Sequence, residues 1–370
     1  MEKEMSKVVK IFHGPQHPGI TGNMSVELDL IGETIVKAKT HVGYLHRAFE
    51  KLVERRTAMQ AFTIVCRICV PEPDPNEENF ARAIEEITGL EVPERAKWIR
   101  VLVLELSRLA AYHLWMGGQA GSTGLYTVPQ WSVGYRDYIL DLFEELTGGR
   151  VYHMYIIPGG VRRDLPEGFL DRVAEVMDLI ESKLPEFDRL FFDNAVFKKR
   201  AIGTAVIDPE TAIERGVVGP PLRACGIASD VRRDAPYEVY DKLDFDVITE
   251  TGGDVYARAL VRRREIEQSI KIIRQIIKYI PDGPYRTRIP YPMNWKLKAG
   301  ETYVKTESAR GEFGYYLVTD GSEYIRRMHV RGPAYVHGVS LLEDMLEGAQ
   351  LADVAMIMNS LGTCPPEIER

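Results

Sequence analysis

Cys66-Arg67-Ile68-Cys69 is the one compact cysteine constellation in a chain with four cysteines. Two thiols at this spacing sit on one turn, where they can chelate a metal ion or close a strained, reducible disulfide. Arg67 stands between them, and a positive charge beside a thiol favours the thiolate. A third thiol, Cys364, lies near the C-terminus in Thr-Cys-Pro-Pro-Glu. A closed zinc site needs four ligands, and Cys225 and Glu367 are the candidates for the fourth. Neither makes a second Cys-x-x-Cys. Residue types and spacing thus define a thiol site with an incomplete metal-ligand set, and two buried structural cysteines remain the alternative.

The chain that must position these groups has 370 residues, enough for about two ordinary domains or one elaborate unit. With 45% hydrophobic and 27% charged residues it has globular composition, which excludes disordered, collagenous and low-complexity classes. Its 47 basic and 54 acidic residues give a net charge of −7. No basic excess exists to neutralise phosphates, which argues against a nucleic-acid binder. So few cysteines make no disulfide scaffold and suit a reducing compartment. No stretch reaches the roughly 18 uninterrupted apolar residues of a membrane span. The opening MEKEMSKVVKIFHG lacks a signal peptide's apolar centre. The expectation is a soluble intracellular protein that can still sit on a membrane partner.

Alternation from Met24 to His41 around Gly32 predicts antiparallel strands. Helical spacing predicts helices over Phe49–Val65, over Asn76–Ile87 with Gly89 as the stop, and from Pro93 to about Gly117. Further helices are predicted over Ser132–Leu146, Glu167–Lys198, Tyr256–Lys278 and Val339–Leu361. Asp320-Gly321 separates two β-prone runs between Glu312 and Val330, a hairpin signal. The glycines of Gly117–Gly124 and Gly159-Gly160 match neither a dinucleotide fingerprint nor a phosphate loop, so no nucleotide site is expected. The predicted class is α+β, mainly α, a helical bundle with small peripheral antiparallel sheets. One unit over residues 1–370 is expected, with an N-terminal β region to about 45, a helical core over about 46–290, a hairpin over about 305–335 and a C-terminal helix and tail over 338–370.

Longer motifs accompany the thiols. His13-Gly-Pro-Gln-His17-Pro, Gly43-Tyr-Leu-His46-Arg47-Ala-Phe-Glu50-Lys51 and Val92-Pro-Glu-Arg-Ala with Ile99-Arg100-Val101-Leu102 come first. Pro158-Gly159-Gly160-Val161, Gly219-Pro220-Pro221-Leu222-Arg223-Ala224 and Asp230-Val231-Arg232-Arg233-Asp234 follow. Glu307-Ser-Ala-Arg310-Gly311-Glu312 and Leu351-Ala352-Asp353-Val354 complete the series. In this order they resemble the large-subunit superfamily shared by group 4 membrane-bound [NiFe]-hydrogenases and the D (49-kDa-type) subunit of complex I, from about His13 to Arg370. The resemblance implies a central bundle of long helices with small β elements. It also implies docking on a small subunit that holds a [4Fe-4S] cluster, in the peripheral arm of a membrane-bound, ion-translocating redox complex on the cytoplasmic face.

Within that superfamily, the hydrogenase branch holds nickel and iron with two Cys-x-x-Cys pairs. Cys66 and Cys69 match the first pair and Cys364 begins the second, but Glu367 stands at the fourth position, and Ile64 and Pro73 replace a supporting Arg and His. Nickel there prefers soft thiolates to a hard carboxylate, so no NiFe centre and no firmly bound cofactor are expected on this chain. In the quinone branch a Tyr and a His hold the headgroup, and here those positions are Val70 and Thr21, which cannot replace both hydrogen bonds. The remaining pattern resembles the large subunit of archaeal membrane-bound sulfane reductases. That resemblance implies electrons from reduced ferredoxin, reduction of polysulfide or sulfane sulfur, and antiporter-like membrane subunits as partners. Thiolates suit this chemistry because they attack sulfur–sulfur bonds. Cys66 and Cys69 are expected to bind or cleave the sulfane, with Cys364 closing the pocket and Arg67 steering an anionic substrate. His17, His46 and Glu50 are the expected proton donors or relays. The competing readings are a quinone-reducing complex I-type chain, a hydrogen-evolving large subunit and a non-catalytic scaffold.

Overall fold

The computed structural model describes residues 8–20, 22–290 and 295–370; Thr21 lies outside them. Strands β1 Val9–His13, β2 Ser25–Ile31 and β3 Thr34–His41 form an antiparallel sheet in the order β1-β2-β3. Helix α1 Phe49–Val53 and helix α2 Ala58–Val65 follow, where the spacing predicts one helix. Thr57 breaks it by starting α2 with a capping box, its side chain accepting from Gln60 N–H while the Gln60 side chain accepts from Thr57 N–H.

Helix α3 Asp74–Thr88 begins on Pro73 and Pro75, whose missing N–H groups cost nothing in a first turn, and ends on Gly89 with φ 70°. Helix α4 Glu94–Gly121 is the axis of the molecule, with residues buried on every side from Ala96 to Ala120. A helix buried all round must be central, and its buried charges Arg100, Glu105 and Arg108 are ion-paired. Helix α5 Thr127–Thr147 packs against it, followed by the two-residue strands β4 Ile156–Ile157 and β5 Gly160–Val161. The predicted helix over Glu167–Lys198 is α6 Phe169–Phe187, a wide π turn over Asp188–Phe192, and α7 Ala195–Ala201. Pro185 removes a donor near the end of α6, and Asn194 caps a fresh start by accepting from Val196 N–H.

Short helices α8 Pro209–Glu214, α9 Pro220–Arg223 and α10 Val231–Asp234 lead to α11 Val255–Tyr279, which packs on α4 and α6. The second three-stranded antiparallel sheet is β6 Gly300–Ser308, β7 Gly311–Thr319 and β8 Ile325–Arg331, with α3 against β6 and β7. The expected hairpin is β7–β8, and β6 extends it. The C-terminal segment is not the one long helix predicted: α12 Pro333–Tyr335 runs through a wide π turn over Val336–Leu341 into α13 Leu342–Leu346, and α14 Val354–Leu361 and α15 Pro365–Glu369 follow. Gly348, at φ 82°, turns the chain there, and its N–H bonds Ile35 of β3. The architecture is α+β, mainly α, with small peripheral antiparallel sheets, as the sequence implies.

Candidate functional site

Three tertiary decisions build the site. Cys66 ends α2 and Cys69 lies three residues on, in the link to α3. Cys364 is the N-cap residue of α15, placed there by Pro365 and Pro366. The third is the β6–β7 turn. Ser308 pairs with Gly311, so only Ala309 and Arg310 form the tip. Gly311, at φ 130°, packs on Gly219 so closely that a side-chain carbon at 219 would lie 2.3 Å from the Gly311 Cα. That contact fixes Arg310 at the thiols.

Cys69 Sγ lies 4.0 Å from Cys364 Sγ, and both residues are buried. A carboxylate oxygen of buried Glu367 completes a group whose atoms all lie within 4.8 Å of one another. Arg310 Nη1 stands 3.4 Å from Cys69 Sγ and 3.6 Å from Glu72 Oε2. Glu72 is itself held by the Ala309 N–H at 2.8 and 2.9 Å. Glu367 Oε1 accepts from Ala334 N–H at 2.8 Å.

Cys66 falls outside this group. Its sulfur meets the Thr63 carbonyl at 3.8 Å and Arg67 Nη1 at 3.3 Å. Arg67 does favour its thiolate, as expected, but is outweighed: burial pushes the Cys66 thiol up to about 12, and the acids Glu77 and Asp74 add to the rise. The thiolate belongs to Cys364. The hydrogen bond from Cys69 and then the charge of Arg310 bring Cys364 down to about 6, against the opposing effect of burial. Cys69 rises correspondingly, because it donates that hydrogen bond and is buried. Burial, with the negative charge at Cys364 next, raises the Glu367 carboxyl to about 8. The arrangement draws Cys364 toward its thiolate and holds Cys69 and Glu367 toward their protonated forms.

A cavity of about 760 Å³ lies beside this pair, lined by its sequence neighbours rather than by the two cysteines themselves. Leu114, Trp115 and Val133 give it apolar walls, while Arg262 and Arg310 are its charged residues. Pro71, two residues after Cys69, and Thr363, just before Cys364, also line it. The loop of Pro18, Gly19 and Ile20 closes one side. Exposed His17 sits on that loop, stacked on His13 at 4.3 Å and accepting from Gly19 N–H at 3.1 Å. Val70, in the quinone tyrosine's place, is 41% exposed and offers no hydrogen bond.

The remaining candidates lie elsewhere. His46 Nδ1 donates to the Glu369 carbonyl at 2.6 Å, and with Glu50 it borders a separate surface hollow. Glu50 is tied to Arg370 Nε at 3.0 Å, His329 Nδ1 at 3.3 Å, Arg327 at 3.4 Å and the Val330 N–H at 2.9 Å. Arg67 lies over the Tyr152 ring at 5.0 Å. Cys225 is core, its sulfur against the carbonyls of Ile207 and Pro221. Sequence reasoning gave Arg310, Glu72 and Arg262 no role at the site. The signal was present for one of them, since Arg310 stands beside Gly311 in a motif where only a tight turn explains the glycine.

A helical bundle that buries a thiol pair beside a cavity defines a candidate redox site. Comparison with known proteins makes this specific. Residues 122–370 match the family described as respiratory-chain NADH dehydrogenase, 49 Kd subunit. The chain is 47% identical to the D subunit of NADH-quinone oxidoreductase from Thermosipho melanesiensis, over 98% of this chain and 99% of that one. It is 39% identical to the D subunit of F(420)H(2) dehydrogenase from Methanosarcina mazei over the whole of both. Among solved structures it superposes with a TM-score of 0.96 and 45% identity on a chain of the membrane-bound sulfane sulfur reductase, an archaeal respiratory membrane complex, covering 99% of this chain and 100% of that one. The chain belongs to the 49-kDa subunit family of respiratory-chain NADH dehydrogenase. It is an oxidoreductase subunit of a respiratory membrane complex. No helix among the described residues is long and apolar enough to cross a membrane.

Proposed function

We propose that this chain is the substrate-reducing subunit of a ferredoxin-dependent, ion-translocating complex that reduces polysulfide or sulfane sulfur on the cytoplasmic face of the membrane. The observation that carries the reading is the Cys69–Cys364 sulfur pair at 4.0 Å, facing Arg310, which also lines the neighbouring cavity. In this reading the Cys364 thiolate attacks R–S–S–R′ to form Cys364–S–S–R, and the leaving R′S⁻ takes the Cys69 proton. Cys69 then attacks the Cys364 sulfur, releasing RS⁻ and leaving a Cys69–Cys364 disulfide. Two electrons, passed singly from a [4Fe-4S] cluster in a partner small subunit, and one proton restore the pair. A second proton neutralises RS⁻, so the sum is RSSR′ + 2e⁻ + 2H⁺ → RSH + R′SH. Ferredoxin is the donor, and antiporter-like membrane subunits use the energy.

The pair works in this reading without nickel or another metal. Only two of the sulfurs a NiFe centre would need converge, and the third, Cys66, falls outside the group. The guanidinium fixed at 3.4 Å from Cys69 also opposes a cation there.

The test is ferredoxin-dependent sulfide release by the purified complex with single Cys→Ser variants. Cys69→Ser and Cys364→Ser abolish release, while Cys66→Ser keeps most of it. Full release in both of the first two, or stoichiometric nickel in the complex, overturns the reading. The quinone reading keeps the support of the NADH dehydrogenase family match and of the name of the 47%-identical relative. A quinone acceptor in the same assay decides it, and the exposed Val70 argues for no turnover.

A further inference from the structure

Six arginine side chains are wholly buried in this fold: Arg100, Arg108, Arg223, Arg232, Arg258 and Arg262. A buried guanidinium is costly unless acceptors answer it. Arg100 meets Glu85 and Glu238, Arg108 meets Glu105, Arg223 meets Glu265 and Glu307, and Arg232 meets Asp230. Arg258 pairs with no carboxylate among the described residues but donates to Ser360 Oγ, the Ala205 carbonyl and the Gly253 carbonyl at 2.7–3.0 Å.

Arg262 has neither kind of partner set. Its Nη1 donates only to the Arg258 carbonyl of its own helix at 3.0 Å, and its Nη2, like those of Arg223 and Arg258, is buried with no hydrogen-bond partner among the described residues. No carboxylate among them lies within ion-pair distance of it. The Trp115 ring covers the guanidinium at 4.8 Å, which occupies its face and leaves its N–H edge. Arg262 and Arg310 both line the cavity, and Gly362 lies between them. A side-chain carbon at 362 would sit 3.1 Å from Arg262 Nη2 and 3.5 Å from Arg310 Cγ. The Arg262 guanidinium and the aliphatic stem of Arg310 therefore flank one glycine, two positions before Cys364. Burial draws Arg262 down to about 10 against the opposing influence of Tyr112 and Glu265, with the like charge of Arg310 a smaller addition.

We infer that Arg262, together with Arg310, seats the charged end of an anionic sulfane, so that this pair of cations selects substrates bearing a negative charge next to the reacting sulfurs. This rests on the sulfane reading above and adds a specificity-determining residue to it. The apolar walls of Leu114, Trp115 and Val133 accept the sulfur chain, which is weakly hydrated, while the guanidinium edge supplies the charge-assisted hydrogen bonds.

The experiment compares inorganic tetrasulfide with neutral diethyl trisulfide in the intact complex, wild type against Arg262→Gln and Arg262→Lys. Arg262→Gln is expected to lower the ratio of kcat/KM for tetrasulfide over that for the trisulfide by about tenfold or more, mostly through KM. Arg262→Lys, which returns the charge without the planar fork, recovers part of that ratio. A ratio that stays within twofold of wild type in Arg262→Gln overturns the inference, because a merely structural arginine affects both substrates alike. Should the variants fail to assemble, thiocyanate is tested on the wild-type complex at constant ionic strength. Competition against tetrasulfide but not against the trisulfide supports the inference, and equal or no inhibition overturns it. A wild-type complex that reduces neither compound removes the sulfane reading itself, and the inference with it. That outcome is distinct from reduction of both without discrimination.

Discussion

Arg310 Nη1 lies 3.4 Å from Cys69 Sγ and 3.6 Å from Glu72 Oε2, so one guanidinium links the thiol pair to a buried acid on the link to α3. Arg310 is held there by a two-residue turn rather than by its own helix. Its positive charge is the second influence, after the Cys69 hydrogen bond, that keeps Cys364 ionised near neutrality.

Replacing Arg310 by Met should therefore move the reaction's pH dependence. The Cys364 thiol, at about 6, is the nucleophile only as thiolate, so activity rises with pH through about 6 in the wild type. In Arg310→Met that rising limb moves to higher pH, and activity at pH 7 falls by about tenfold or more. A pH–rate profile of sulfide release checks this, and an unmoved limb assigns Arg310 to packing alone.

Glu367 makes a stability prediction. Its carboxyl is raised to about 8 by burial, well above its unfolded value of 4.5. A raised carboxyl keeps its contribution in full below pH 4.5 and loses it as pH rises through about 8, because the unfolded chain ionises first. Glu367→Gln mimics the protonated acid and keeps the acceptor for the Ala334 N–H. The variant should match wild type near pH 4.5 and gain on it toward pH 8, by at most a few kcal/mol. Thermal melts of both proteins over that pH range read the difference, and parallel curves would mean Glu367 ionises normally.

Much of this was legible in the residues, for identifiable reasons. Met24–His41 reads as strands because one face is buried and the other wet, and the N-terminus of α3 reads from its prolines. Strand β1 does not, because none of its five residues is buried, so it has no apolar face to alternate. In β6 the last three residues are all buried, which erases the alternation. Cys69 and Cys364 could be named from the sequence, but their division of labour could not. The divergence of Cys66 is set by where α2 ends, and the roles of Arg310 and Arg262 by a hairpin turn and a helix face meeting at Gly362.

The turn that delivers Arg310 yields the last prediction. Gly219 adopts φ 66°, and a side-chain carbon there would lie 2.3 Å from the Gly311 Cα and 2.4 Å from the Arg310 carbonyl oxygen. Both contacts are to backbone, which cannot swing aside as a flexible side chain can. Gly219→Ala must therefore separate the Gly219–Pro220 segment from the β6–β7 turn, at a cost of about 3 kcal/mol or more. The same shift draws Arg310 off the thiols, so loss of activity should exceed the loss of folded protein. Gly283 is the matched control: it also has positive φ, at 142°, yet a carbon there meets nothing within 4 Å. Gly283→Ala carries only the backbone strain, about 1–2 kcal/mol, and should leave activity per folded complex intact. Denaturant melts paired with sulfide release per assembled complex separate the two, and equal specific activity in both variants would show that the turn does not position Arg310.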